Sequence, residues 1–172
     1  MCFANAQPID YSPCTYGPFS KYKKNVVRCN GIATTQVFDA IRRNKDNSDI
    51  DALYLWNMDD LTDKMLDEIL QIIASSASQN VVEINLRFLP KVKKAPGALQ
   101  RFPNIHWFNF NFNDGLNKLP FGAVNFSSDS VNEINCYNNP NLEEIELGAF
   151  QGLISSVFLI LESIISNLQC YR

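Results

Sequence analysis

The stretch NEINCYNNPNLEEIELGAF, Asn132 to Phe150, decides the fold. Ile134 and Cys136 are apolar and two apart, Asn139 follows three later, and Phe150 closes the stretch. A strand turns alternate side chains to opposite faces, so Ile134 and Cys136 share one face while Glu133, Asn135 and Tyr137 share the other. The same frame returns as Leu53, Leu55 and Met58, as Ile84, Leu86 and Leu89, as Phe108, Phe110 and Asn113, and as Leu159, Leu161 and Ile164. The first apolar positions fall at 53, 84, 108, 134 and 159, at intervals of 31, 24, 26 and 25. A period near 25 predicts an array of units, none of which buries its apolar face alone. The far half keeps step: Val124 in GAV lies 16 residues after Phe108, Phe150 in GAF lies 16 after Ile134, and Leu99 in GAL falls one short.

The spacing has a physical reading. Each short strand adds to a parallel sheet, and the far half returns to fill the same core. Asn139 turns inward, where its amide satisfies turn backbone that would otherwise be buried unpaired. Asn113 holds the matching place, and Met58, Leu89 and Ile164 replace the asparagine elsewhere. Cys136 reads as a small buried hydrophobe.

Array ends need caps, because they expose core and sheet edge. Residues 1–50 read as an N-terminal cap and 51–172 as one continuous repeat domain. NVVRC reads as a strand leading into the sheet. TTQVFDAIRR reads as a short helix with Thr34 or Thr35 as N-cap and Val37, Phe38 and Ile41 on one face. DDLTDKMLDEILQIIASSAS reads as a longer amphipathic helix through Leu61, Met65, Ile69 and Ile73, which explains the long first interval. The C-terminal end reads as incomplete: after Leu161 the chain is ESIISNLQCYR, Cys170 stands alone, and Phe158 and Ile160 would face outward.

At 172 residues and 46% apolar content the chain fits one domain with a sizeable core. A net charge of −3 gives no push toward nucleic acid or an anionic membrane. The runs Lys21-Tyr22-Lys23-Lys24 and Lys91-Val92-Lys93-Lys94 are short and read as solvated turns. VFLILESII is too short to span a bilayer and carries Glu162. MCFANAQPID has neither a basic nor an apolar leader region, yet Cys2, Cys14 and Cys29 cluster at the start as in oxidising compartments. Either the thiols are idle in a cytosolic chain, or the sequence lacks its true start.

The frame, with LPFGAV at Leu119–Val124 and LGAF at Leu147–Phe150, resembles the leucine-rich repeat family over about Leu53 to Asn167. The resemblance implies an α/β leucine-rich repeat solenoid of about five units with a concave parallel sheet. DYSPCTYG followed by VVRCNG resembles the cysteine-bearing N-terminal cap of extracellular members. More narrowly, IDYSPCTYG, the Cys29 strand and the irregular first unit look like the secreted arthropod proteins described as the non-catalytic subunit of oplophorus-luciferin 2-monooxygenase. That family carries a PCxC pair, and Tyr16 stands at its second cysteine. Carried over, the family pairing joins Cys14 to Cys29 and leaves Cys2 without its partner. The resemblance also implies extracellular life and an incomplete chain.

No motif for catalysis, a phosphate loop or a dinucleotide occurs, and the sequence implies no cofactor and no metal. His106, beside Trp107 and just before the inward Phe108, reads as structural. DNSDID at Asp46–Asp51 lacks the glycine and closing glutamate of a calcium loop and reads as a polar turn. Asn125-Phe126-Ser127 is a glycosylation sequon. What remains is the outward strand face. Its columns are Ala52/Glu83/Trp107/Glu133, Tyr54/Asn85/Asn109/Asn135, Trp56/Arg87/Asn111/Tyr137 and Asn57/Phe88/Phe112/Asn138. Exposed aromatics beside Asn and Arg suit a partner-binding surface, here Tyr54, Trp56, Asn85, Arg87, Trp107, Asn109, Asn111 and Tyr137. The expected function is a secreted, non-enzymatic module for a protein partner, in one version an accessory subunit that stabilises it. The alternatives are a recognition protein for glycans or microbial ligands, and a truncated product without a function of its own.

Overall fold

Apolar side chains two apart drive strand formation along the chain. Val27 and Cys29, Leu53 and Leu55, Ile84 and Leu86, Phe108 and Phe110, and Ile134 and Cys136 are all buried. In a computed structural model, residues 9–19, 23–120, 122–123 and 131–150 are described in full, and 158–160 by backbone alone. Cys2, Val124, Asn125, Leu161, Ile164 and Cys170 lie outside the described residues, as do the side chains of Phe158, Leu159 and Ile160.

The elements in chain order are β1 (Thr15–Gly17), β2 (Val26–Asn30), α1 (Thr34–Arg43), β3 (Ala52–Trp56), α2 (Asp63–Ala77), β4 (Glu83–Arg87), a 3-10 helix (Gly97–Arg101), β5 (Trp107–Asn111), β6 (Lys118–Leu119), β7 (Glu133–Asn135), β8 (Glu144–Ile145) and β9 (Phe158–Ile160). The main sheet has the order β1-β2-β3-β4-β5-β7-β9. β1 is antiparallel to β2, and the other six strands run parallel. The result is a mixed α/β fold with a mostly parallel sheet. The register never slips: Val27 pairs with Leu53, Leu53 with Ile84, Ile84 with Phe108, Phe108 with Ile134, and Ile134 with Leu159.

Parallel neighbours need a crossover. Here the regular structure inside the crossovers dwindles along the chain, from the full helices α1 and α2 to the 3-10 helix and then to the two-residue strands β6 and β8, which pair with each other. The two full helices lie in the first two crossovers, and the interval that holds α2 is the longest.

The core lies between one sheet face and these crossovers. α2 buries Leu66, Ile69, Leu70, Ile73 and Ala77, while Met65 is only half-buried and Leu61 precedes the helix. The inward stripe therefore keeps the expected Ile69 and Ile73, with Leu61 buried ahead of the helix, and adds Leu66 and Leu70 in place of Met65. α1 starts at Thr34 with Ala33 at its N-cap, so neither threonine caps its own helix. Asp60, from the loop after β3, accepts hydrogen bonds from the Thr34 amide (3.1 Å) and hydroxyl (2.7 Å) instead. A carboxylate from a neighbouring crossover thus satisfies amide donors that a helix start leaves open. α2 does the same for the next crossover: Asp63 accepts from the Lys93 and Lys94 amides, and Asp67 from the Ala98 amide. The second lysine run is accordingly a turn pinned by its backbone, with exposed side chains.

At the N-terminal side Cys14 and Cys29 form a disulfide, with Cα atoms 4.5 Å apart, tying β1 to β2. Tyr11 is buried beside them and stacks near Tyr16. Deep in the strand-end turns, Asn113 and Asn139 link neighbouring strands. The Asn113 side chain accepts from the Leu89 amide and donates to the Leu86 carbonyl. The Asn139 side chain accepts from the Asn113 amide (2.8 Å) and donates to the Phe110 and Cys136 carbonyls. Where Met58 and Leu89 occupy this position the side chain is buried and apolar. Phe150 is half-buried against the core, and Ala149 is fully buried.

Candidate binding surface

The outward sheet face is far less open than its polar sequence suggests. Tyr54, Asn85, Asn109, Asn111 and Asn135 are buried, and Trp56, Arg87, Trp107 and Tyr137 are half-buried. Closely spaced parallel strands bring equivalent residues side by side, and these side chains pack laterally. Trp56 stacks on Tyr54 and donates its Nε1–H to Asn85 Oδ1 at 3.0 Å. Asn135 donates to Asn109 Oδ1 at 2.8 Å and to Glu133. Asn111 accepts from the Tyr137 amide.

A second cause lies in the segment before β2. Phe19 meets Tyr54 edge-on, and Lys23 pairs with Glu83 and sits 4.9 Å over the Trp107 ring. Burial holds the Lys23 ammonium below the usual lysine range and pushes the Tyr54 phenol up. The predicted binding residues therefore divide. Trp56, Arg87 and Tyr137 edge the face and reach solvent, with Arg87 5.9 Å from the Trp56 ring. Asn111 lies in the same row and Asn85 and Asn109 in the next, all three buried. Arg87 Nε, Asn111 Nδ2 and Asn135 Oδ1 are buried without a hydrogen-bond partner.

No protein-family model, curated protein or solved structure matches this chain.

The strand ends carry a feature that residue type alone conceals. Gly31, Asn57, Phe88, Phe112 and Asn138 follow five successive parallel strands at matching register, and all have positive φ, between 53° and 64°. Gly adopts this conformation freely and Asn tolerates it, whereas a bulky residue is strained there. The two phenylalanines stack at 4.9 Å, Phe112 meets Tyr137 edge-on, and Phe88 is 45% exposed. A groove of about 750 Å³ opens beside them. Its lining adds Asn138 and one residue from each of four successive turns: Asp59, Pro90, Asp114 and Pro140. Gly115 lets these turns close up, since a Cβ there would lie 2.3 Å from the Pro90 carbonyl oxygen. The sequence columns contain Phe88 and Phe112, but the signal for the turn was the Asn at either end of that column.

Other candidates from the sequence resolve locally. Cys136 is free and fully buried, and burial pushes its thiol up to about 12, so it carries no reactive thiolate near neutrality. His106 is half-buried, with Nδ1 3.4 Å from the side-chain nitrogen Nδ2 of Asn132 and its ring beside Trp107. In the Asp46–Asp51 stretch, Asp51 accepts from the Lys24 and Asn25 amides and the Asp49 carbonyl accepts from Tyr16. Among the described residues no cluster of His, Cys, Asp or Glu is arranged to hold a metal, and no helix is long and apolar enough to cross a membrane.

Proposed function

We propose that this chain is an extracellular leucine-rich repeat module, a short solenoid with a disulfide-bearing N-terminal cap, that binds a protein partner through the outward face of its sheet. The invariant register of the parallel strands and their near-constant spacing along the chain support the solenoid reading. The Cys14–Cys29 bridge is consistent with an oxidising compartment. In its most concrete form the module is a non-catalytic accessory subunit that stabilises its partner.

One observation carries the reading. Arg87 Nε and Asn111 Nδ2, in the row of Trp56 and Tyr137, and Asn135 Oδ1, one row back, remain unpaired. Buried polar groups without partners are costly, and native structures contain few of them. A partner that shifts these rows and supplies matching groups would recover that cost, and Trp, Tyr and Arg are the side chains that most often anchor such contacts.

Site-directed photo-crosslinking in the native extracellular fluid tests the proposal. A photoreactive residue in place of Tyr137 is expected to give a discrete adduct. The same residue in place of Gln100, exposed on the 3-10 helix across the core, is expected to give none. An adduct from Gln100 with none from Tyr137 would move the partner to the other side of the molecule.

A further inference from the structure

Phe88 and Phe112 occupy turns that the fold closes equally well with Gly31, Asn57 or Asn138. A phenylalanine at positive φ is held against a conformational penalty, and such strain gathers at functional sites. Here it lifts two stacked rings to the strand ends, where Phe88 remains 45% exposed beside the 750 Å³ groove. That volume suits a bound side chain with its flanking backbone. Along the turns the lining alternates Asp59, Pro90, Asp114 and Pro140, so the carboxylates stand two strand steps apart, about 10 Å. No lining residue is basic. Ring faces attract cations, and two exposed carboxylates add the complementary charge.

We propose that this groove takes an extended basic segment of a protein partner, one lysine or arginine side chain lying over the exposed Phe88 ring and its basic groups pairing with Asp59 and Asp114. The inference rests on the protein-binding reading and gives that partner a chemistry. Pro90 and Pro140 add apolar surface on which the aliphatic stems of such side chains can lie.

The probe is the capped peptide Ac-Gly-Arg-Leu-Ala-Arg-Gly-amide, with a counterpart bearing Glu for Arg. Each is titrated into the ¹⁵N-labelled full chain at low salt while the amide signals of Phe88, Phe112 and Asn138 are followed. The arginine peptide should shift these signals saturably, and the glutamate peptide should not. Replacing both carboxylates, Asp59→Asn with Asp114→Asn, should weaken binding about fivefold, the expectation for two exposed ion pairs. Phe88→Asn, which keeps the turn, should weaken it about threefold, in line with an exposed cation–π contact. Equal response to both peptides, undiminished binding by the double variant, or no shift at these amides would each overturn the proposal. An adduct from position 137 without peptide binding would overturn the groove alone, whereas peptide binding with no adduct there would overturn only the sheet-face reading.

Discussion

Phe88 sits at φ 56° with its ring stacked on Phe112, and the balance of those facts sets what its replacement does. Relief of the left-handed conformation is worth about 1–2 kcal/mol, and a lost aromatic pair costs about 0.5–1.5 kcal/mol. Phe88→Asn should therefore leave stability within about 1 kcal/mol of wild type by chemical denaturation, while Phe108→Ala in the core costs about 3–5 kcal/mol. Asn139 presents the opposite case. Its side chain makes three buried hydrogen bonds to backbone, so Asn139→Ala should destabilise by about 1–3 kcal/mol, read from the same denaturation midpoints. Asn135, which the sequence turns toward solvent, is instead buried and donates to two neighbours, and its removal should cost about 1 kcal/mol rather than nothing. Alternation along a strand told which face each residue takes. It could not tell that a face of asparagines closes on itself, because that depends on what stands on the neighbouring strand.

At the scale of elements, a crossover depends on carboxylates from its neighbours. Asp60 caps α1 from outside it, and its hydrogen bond from the Thr34 hydroxyl, aided by the Thr34 amide, holds its carboxyl below the ordinary value of 3.8. A depressed carboxyl stabilises fully above its ordinary pKa, and that contribution drains away as the pH falls through the lowered value. Asp60→Asn should cost about 0.5–2 kcal/mol near neutrality, like other lost caps, and unfolding curves collected from pH 5 to pH 2 should show the difference from wild type narrowing. The disulfide acts on β1 and β2 through the unfolded chain. Its half-cystines are 15 residues apart, so the double variant Cys14→Ala with Cys29→Ala should lose about 3 kcal/mol in the chain-entropy account, read from denaturant midpoints. Both helices and the strand at NVVRC were legible from period and composition. The cap supplied by Asp60 was not, since its donor lies 26 residues away and only the closed crossover brings the two together.

For the whole molecule, the spacing of Leu53, Ile84, Phe108 and Ile134 carried the parallel order and register of the sheet, because one period sets both. The outward face proposed for binding was only partly legible. Trp56, Arg87 and Tyr137 emerge as a rim, but Phe19 and Lys23 cover one end of the face, and the strand-end groove depends on backbone angles that residue type does not dictate. We propose that a partner docks on this rim, which contributes little to holding the fold together. The measurement that tests it is the affinity of the partner recovered by crosslinking, titrated against wild type, Arg87→Ala and Tyr137→Ala, with Tm recorded for each. A loss of about 2 kcal/mol in binding is expected for each variant, the usual size of a central anchor, with a Tm close to that of wild type. Unchanged affinity in both variants, with the fold intact, would contradict it.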